Sequence, residues 1–224
     1  MFQKIAEKFL NLIYKQKCLV CKSSQNCAKD VQNYMGLMCK TCAKDVEYLS
    51  SFPHRIFRGV KIFSATKYST TVKKLITLLK FSHRKNASIP LAIILFNYFQ
   101  KTDINKDSIL CYPSSFLIKS AQRGYEHMFL ITKEFSKLTN IPFEKNLIQK
   151  VKYTKPQYKA KNRAENIKNS FKINEKLKSN LQNKNIIILD DITTSGATAE
   201  ELINLFLDNG INNLSFLTVA KAQK

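Results

Sequence analysis

The sequence lacks an apolar stretch long enough to cross a membrane. The longest candidate, residues 89–99, is shorter than the roughly 20 apolar residues that a spanning helix needs. Residues 1–14 mix Lys4, Glu7 and Lys8 among their apolar positions, and they lack the small-residue cleavage site of a secretory signal. We therefore expect a cytoplasmic protein that is not an integral membrane protein.

Acidic residues are scarce relative to basic ones. The 224 residues include 37 Lys and Arg but only 16 Asp and Glu, which gives a formal net charge of +21. Much of the excess lies in residues 48–102, which contain no acid, and in residues 145–184. This imbalance favours a polyanionic partner, although a genome rich in Lys, Asn and Ile codons would produce part of it without such a function.

Histidine is scarce as well, with three positions in the chain. His54, His83 and His127 are too scattered to suggest a catalytic triad, and none lies close to Cys111 along the sequence. Cys111 falls in a short apolar stretch, which predicts a small core residue rather than a nucleophile.

Four of the six cysteines follow the spacing Cys18-x2-Cys21-x17-Cys39-x2-Cys42. Each Cys-x2-Cys turn places two thiolates on one side of a tight loop, and two such loops complete a tetrahedral zinc site. Disulfides are not expected in the cytosol. Four protein thiolates leave no open coordination position, so the spacing predicts a structural zinc ion. Cys27, inside the intervening loop, is left out of this ligand set.

Apolar residues at helical spacing ahead of the cysteines predict an amphipathic helix. They are Phe2, Ile5, Phe9, Leu12 and Ile13. The apolar face of this helix rests either on the inner face of the membrane or on its own domain or a partner, and the sequence leaves both open. We place a boundary near residues 50–54, between a zinc-binding domain of residues 1–52 and a larger domain of residues 53–224.

The larger domain alternates predicted strands and helices. A hairpin is predicted over residues 56–69, strands over 109–112, 143–151, 186–189 and 214–220, and helices over 70–81, from Pro90 onward, over 121–138 and over 198–208. Thr70 or Thr71 is the expected N-cap of the first of these helices. Residues 152–185 predict an irregular segment. The alternation predicts a mostly parallel sheet with helices on both faces, and ligands then bind beyond the carboxyl ends of the strands.

Residues 186–198 carry the strongest functional signal. Four branched apolar residues end in Asp190 and Asp191, and a hydroxyl-rich turn with one glycine then leads into a helix. This order predicts a buried strand that ends at a phosphate-binding turn, because the amides and the partial positive charge of a helix N-terminus suit a phosphate. The carboxylates would repel a phosphate and must face sugar hydroxyls or a divalent cation. The alternative is an ordinary buried strand followed by a capped helix.

This stretch resembles the 5-phosphoribosyl-1-pyrophosphate (PRPP) loop of type I phosphoribosyltransferases. In that family two acidic residues contact the ribose hydroxyls and the following turn holds the 5-phosphate. The resemblance implies ribose-binding and catalytic positions for Asp190 and Asp191. The PRPP-binding residues that it implies are Asp190, Asp191, Thr193, Thr194, Ser195, Gly196, Ala197 and Thr198. Ser195 stands where the usual family turn has a second Thr, and it keeps the hydroxyl.

Further PRPP contacts are expected at the pyrophosphate. In the superfamily a short loop after another strand contacts it, which implies Tyr112, Pro113, Ser114 and Ser115 here. Arg123 and either Lys152 or Lys155 are cations that could neutralise the pyrophosphate, or they are solvated surface charges. We expect Mg²⁺ to accompany the pyrophosphate and to contact the protein through water or through one carboxylate.

Five segments together resemble the ComF/ComFC family, which is linked to natural competence. They are the four-cysteine motif, residues 79–84, residues 111–113 with 122–126, residues 154–171, and the PRPP loop. The resemblance implies an α/β fold of the type I phosphoribosyltransferase kind, a mostly parallel sheet flanked by helices, with a small N-terminal zinc-binding knob. The family commonly has Asn and Gln where this chain has Glu126 and His127, so no role is assigned to those two positions.

Family members handle incoming single-stranded DNA during transformation. The resemblance therefore implies a PRPP- and Mg²⁺-binding protein of DNA uptake, with a helicase or an inner-membrane DNA channel as its partner. Aromatic residues that could stack on bases, or that belong to the core, are Phe57, Phe63, Tyr68 and Phe81. Two alternatives remain: an active phosphoribosyltransferase with an unidentified nitrogenous acceptor, and a scaffold that docks through its zinc knob.

Overall fold

A computed structural model of the chain describes residues 17–23, 34, 37–115, 124–152, 165, 167–178, 181 and 183–222. The predicted N-terminal helix, Cys27, Arg123 and Lys155 lie outside these residues. The strands are β1 (Arg55–Phe57), β2 (Val60–Lys67), β3 (Ser108–Cys111), β4 (Ile148–Lys150), β5 (Phe171–Ile173), β6 (Asn185–Thr193) and β7 (Leu214–Lys221). The helices are α1 (Lys40–Lys44), α2 (Thr70–Phe81), α3 (Ser88–Phe99), α4 (His127–Thr139), α5 (Glu175–Lys178) and α6 (Ala197–Asp208).

The main sheet has the strand order β1-β2-β7-β6-β3. Strands β2, β7, β6 and β3 pair in parallel, and β1 pairs with β2 as the antiparallel arm of the predicted hairpin. The apolar run of residues 186–189 is buried in β6, as expected for a central strand covered on both faces. The predicted α/β class with a mostly parallel sheet is confirmed.

Helices cover both faces of this sheet. Buried residues of α2, α3 and α4 pack with Ile187 and Leu189 of β6 in one apolar cluster. Residues of α6 and of the small β4–β5 sheet pack with Ile186 and Ile188 in the other. The alternation of side chains along β6 therefore divides the molecule into an α2–α3–α4 side and an α6 side.

The cysteine region packs against the α2–α3–α4 side. Cys18, Cys39 and Cys42 belong to the same buried cluster as residues of α2, and the Leu49 amide donates to the Ala65 carbonyl of β2 at 2.9 Å. The Asp45 carboxylate accepts the Thr71 amide of α2 at 2.8 Å. The domain boundary at residue 52 stays a prediction.

Several predicted boundaries change in the structure. The N-cap of α2 is Ser69, not Thr70 or Thr71, and its side chain makes no cap hydrogen bond because Asp45 supplies the acceptor. The described part of residues 121–138 becomes helical at His127, after Gly124 has turned the chain with φ 68°. Strand β4 has three residues where nine were predicted.

Strand β5 was missed within the segment predicted to be irregular. It has three residues and pairs antiparallel with β4. A strand of this length shows too little alternation to be recognised from sequence. Among the described residues, no helix has the length and apolarity that a membrane span requires.

Candidate functional site

The acid pair lies at the carboxyl end of β6, near the centre of the parallel sheet. The strand continues past the predicted end at Leu189 and includes both Asp190 and Asp191. Because side chains alternate along a strand, Asp191 belongs to the α2–α3–α4 side and Asp190 to the α6 side. The two neighbouring acids therefore meet different surroundings.

Asp191 is held by two basic side chains. Lys80, at the last turn of α2, forms an ion pair with Asp191 Oδ2, and the side chains are 20% and 10% exposed. The Nε2–H of His127, the first residue of α4, donates to the same oxygen at 2.8 Å. Burial opposes the charge of Asp191, but Lys80 and His127 overcome it and hold the pKa of this carboxyl well below its usual range. Burial lowers the pKa of His127, which favours its neutral form.

Asp190 titrates in the opposite direction. Burial and then the charge of Asp191 raise the pKa of Asp190 to about 7, while Lys80 and Lys150 act against this rise. One acid of the pair thus carries a fixed, compensated charge, and the other gains or loses a proton near neutral pH. The contribution of Lys150, which follows from β4 lying on the α6 side, was not predicted from sequence.

The turn after β6 is partly exposed. Thr194 is exposed, Ser195 and Gly196 are half-buried, and Gly196 has φ 87° directly before α6 begins at Ala197. The Ala197 amide donates to Ser195 Oγ at 3.4 Å, which is a long hydrogen bond. We call residues 194–196 together with the first turn of α6 the phosphate turn. It follows Asp190 and Asp191 directly along the chain, and its phosphate role stays a prediction.

The predicted pyrophosphate loop lies at the same edge of the sheet, after β3. Tyr112 and Pro113 are buried. The Ser114 amide donates to the Ile148 carbonyl at 3.1 Å, and Ser114 Oγ accepts the Lys150 amide at 3.0 Å. These hydrogen bonds attach the loop to β4, so the hydroxyl of Ser114 already has a structural partner. The pyrophosphate role of these residues stays a prediction.

The sequence reasoning missed the residues that surround Asp191. Lys80 was noted only as part of a larger segment, and His127 was given no role; His127 lies 64 residues from Asp191 along the chain. Glu126 accepts hydrogen bonds from the Ser115 amide at 3.0 Å and from Ser115 Oγ at 2.6 Å. The two positions that depart from the family pattern, Glu126 and His127, thus link α4 to the loop after β3 and to β6. The signal that could have located these residues is the start of a helix at the carboxyl edge of the sheet.

The four predicted zinc ligands come together. The sulfur atoms of Cys18, Cys21, Cys39 and Cys42 all lie within 4.8 Å of one another, and the sulfurs of Cys21 and Cys39 are 3.7 Å apart. A tetrahedron with Zn–S bonds of about 2.3 Å requires sulfur separations of about 3.8 Å. The donor set and its spacing therefore fit a zinc ion.

A cleft of about 240 Å³ lies at the other end of the strands, among Asn, Ser, Ile and Leu residues near the starts of β3, β6 and β7. Ligands of open parallel sheets bind beyond the carboxyl ends instead. No charged side chain lines this cleft, so it does not compete with the acid pair as the candidate site.

Comparison with known proteins agrees with the sequence motifs. No family model matches the chain. Competence protein F of Haemophilus influenzae is 22% identical over 227 residues, which cover 92% of this chain and 97% of that protein. The resemblance to the ComF/ComFC family is confirmed. DNA utilization protein YhgH of Escherichia coli K12 is 25% identical over 157 residues, and that of Salmonella typhimurium is 26% identical, with 67% of each chain covered.

Similarity to competence protein F covers nearly the whole chain. The zinc fit is an observation on the cysteine sulfurs, whereas the PRPP and Mg²⁺ assignments rest on residue chemistry at the carboxyl edge.

Proposed function

We propose that the chain is a PRPP- and Mg²⁺-binding protein of the phosphoribosyltransferase type that takes part in natural competence by handling incoming DNA. The observation that carries the PRPP assignment is the acid pair at the carboxyl end of β6, followed directly by the N-terminus of α6. A phosphorylated pentose has hydroxyls at one end and a dianionic phosphate at the other, and this arrangement offers a partner to each.

The two acids have different roles because different charged groups surround them. Asp191 is engaged by Lys80 and His127, so it orients these two basic residues and fixes the end of β6. Asp190 lies on the same side of the sheet as α6, where its carboxylate can accept hydrogen bonds from the ribose hydroxyls. The phosphate turn then holds the 5-phosphate through backbone amides and hydroxyls. Mg²⁺ would enter with the pyrophosphate and neutralise its charge.

Calorimetry with PRPP and Mg²⁺ tests this division. Asp190→Asn keeps the shape of the side chain but removes the charged acceptor, and we expect it to weaken PRPP binding at least about tenfold, the value of one hydrogen bond to a charged group. Asp103→Asn is the matched control, because Asp103 is an exposed acid paired with Lys61. Zinc content should be unchanged in both variants. Equal PRPP affinity in the wild type and in Asp190→Asn would remove the ribose role from this acid.

The pKa of Asp190 also favours the second candidate function, an active phosphoribosyltransferase. A carboxyl group with a pKa near 7 beside the ribose is suited to move a proton near neutral pH. Incubation with PRPP, Mg²⁺ and a panel of nitrogenous acceptors, followed by measurement of released pyrophosphate, separates the two functions. Acceptor-dependent release that is lost in Asp190→Asn would establish the enzyme; binding without release would favour the DNA-handling protein.

The DNA assignment rests on the names of the relatives, on the net charge of +21 and on one aromatic side chain. Of the aromatic candidates, Phe63 is fully buried and belongs to the core, which was the alternative to stacking, whereas Phe81 is 70% exposed. Phe81 follows Lys80 at the end of α2, and the exposed residues Arg84 and Lys85 come shortly after it. An exposed aromatic ring among cations is a suitable platform for a single-stranded nucleic acid.

Fluorescence anisotropy with an oligothymidine tests the platform. We expect Phe81→Ala to weaken binding about tenfold, because a base stacked on an aromatic ring contributes about 1–3 kcal/mol. Phe52→Ala, which alters an equally exposed phenylalanine before β1, should have little effect. The affinity of the wild type should fall steeply as salt is added. Salt-independent binding, or equal losses in the two variants, would contradict this assignment.

A further inference from the structure

An arginine from the edge strand reaches the phosphate turn. Arg55 lies in β1, and its Nη1 atom is 2.5 Å from Oε1 of Glu200 in the first turn of α6. The Arg55 guanidinium also lies near the ring of Phe57, with 5.7 Å between Cζ and the ring centroid. Nothing in the sequence pattern of residues 186–198 points to this residue, since β1 and α6 are far apart along the chain.

The guanidinium lies directly over Gly196. A Cβ atom placed on Gly196 would be 2.7 Å from Arg55 Nη1, closer than such atoms approach. Gly196 also has φ 87°, which glycine adopts without strain. The glycine therefore has two roles: it forms the turn, and it leaves the space that the Arg55 guanidinium occupies beside the N-terminus of α6.

The charges around the phosphate turn oppose one another. Glu200 interacts favourably with the N-terminus of α6 but repels an anion that approaches the same amides. Arg55 neutralises Glu200, with side chains 41% and 29% exposed, so both remain accessible to a ligand.

We propose that Arg55 is a ligand of the phosphate held by the phosphate turn, and that Glu200 holds Arg55 in place until the phosphate displaces it. This inference rests on the proposed PRPP function and adds a residue from a separate part of the fold to that site. A guanidinium can donate two parallel hydrogen bonds to a phosphate, and such charge-assisted bonds are stronger than neutral ones. The Arg55–Glu200 pair keeps the guanidinium close to the turn before the ligand arrives.

The same hairpin provides an internal comparison. Arg58 also reaches α6, where its Nη1 atom donates to Asn204 Oδ1 at 2.7 Å and to Asp208 Oδ1 at 3.1 Å. Asn204 and Asp208 lie one and two turns beyond Glu200, away from the phosphate turn. Arg58 therefore shows what an arginine does when it only attaches the hairpin to α6, and Arg58→Met is the matched control for Arg55→Met.

The test is calorimetry with PRPP plus Mg²⁺ and, separately, with ribose 5-phosphate, on the full chain. We expect Arg55→Met to weaken both ligands about tenfold or more, which corresponds to one lost charge-assisted interaction. Glu200→Gln should strengthen both by about twofold or more, because it removes a repulsive charge and releases Arg55. Arg58→Met should bind as the wild type does, and thermal unfolding should show all variants folded.

Opposite changes in ligand affinity in Arg55→Met and Glu200→Gln distinguish a phosphate ligand from a purely structural ion pair. If the Arg55–Glu200 pair served only to hold β1 against α6, both substitutions would break it and would change affinity in the same direction, which would overturn the proposal. Equal binding by Arg55→Met and the wild type would also overturn it and leave the PRPP function standing. Arg55-dependent binding of ribose 5-phosphate without PRPP binding would support Arg55 while rejecting PRPP. If the wild type binds neither PRPP nor ribose 5-phosphate, both proposals are rejected.

Discussion

The ion pair between Lys80 and Asp191 predicts a large loss of stability when the lysine is removed. Lys80→Met keeps most of the apolar length of the side chain but deletes its charge. The two side chains are 20% and 10% exposed, so Asp191 would be left as a buried carboxylate with His127 as its remaining partner. Breaking a buried ion pair from one side costs about 3–5 kcal/mol. We expect about 3 kcal/mol here, because His127 still donates to Asp191 Oδ2.

Lys61→Met is the matched control for this change. Lys61 pairs with Asp103 on the surface, where the side chains are 46% and 59% exposed. An exposed pair contributes about 0–1 kcal/mol. The free energy of unfolding of the wild type and of both variants should be measured by urea denaturation at pH 7. The slope of this free energy against urea concentration should be the same in all three proteins, which shows that the same unfolding transition is compared.

Two further measurements test whether Asp191 is a buried charge that depends on Lys80. Lys80→Met combined with Asp191→Asn should recover much of the lost stability, because no uncompensated charge remains. The difference between the wild type and Lys80→Met should also shrink as the pH falls below about 4, since the pKa of Asp191 is lowered in the folded protein and its stabilising charge is lost on protonation. If Lys80→Met is no more destabilised than Lys61→Met, Asp191 is not a buried charge that depends on Lys80.

Two other changes have signs that follow directly from the structure. Asp190→Asn should gain stability relative to the wild type as the pH rises from about 4 to about 7, because the raised pKa of Asp190 makes the folded wild type bind more protons than the unfolded chain in that window; urea denaturation at a series of pH values checks this, and parallel curves would contradict it. Asp45→Ala should cost about 1 kcal/mol at pH 7 by leaving the Thr71 amide of α2 without its acceptor, whereas Asp45→Asn should retain most of the stability.

The features that could be located from the sequence depend on residues that are neighbours along the chain. The buried strand β6, the turn at Gly196 and the helix α6 follow from a contiguous apolar run, a hydroxyl-rich segment and a helical period. The cysteine cluster follows from two Cys-x2-Cys turns, since each turn places its thiolates by local geometry. Helix α2 and strand β7 were predicted nearly to the residue for the same reason, because their apolar spacing is regular.

The boundaries that failed depend on partners elsewhere in the chain. Strand β5 exists because β4 pairs with it, and three residues carry no period of their own. The cap of α2 comes from Asp45, in the cysteine region, rather than from a residue next to the helix. Phe63 and Phe81 have the same ring, yet one is enclosed by the core and the other is exposed.

A strand that ends in two acids before a hydroxyl-rich turn, and four thiolates at zinc spacing, could be predicted because both depend on residues close together in the chain. The surroundings of the two acids depend instead on contacts between distant parts of the chain. The parallel strand order and the packing of α2 and α4 bring Lys80 and His127 to Asp191, and the antiparallel β1 brings Arg55 to Gly196. Coulomb interactions and burial depend on distances in space, so the opposite pKa shifts of Asp190 and Asp191 could arise only once the chain had folded.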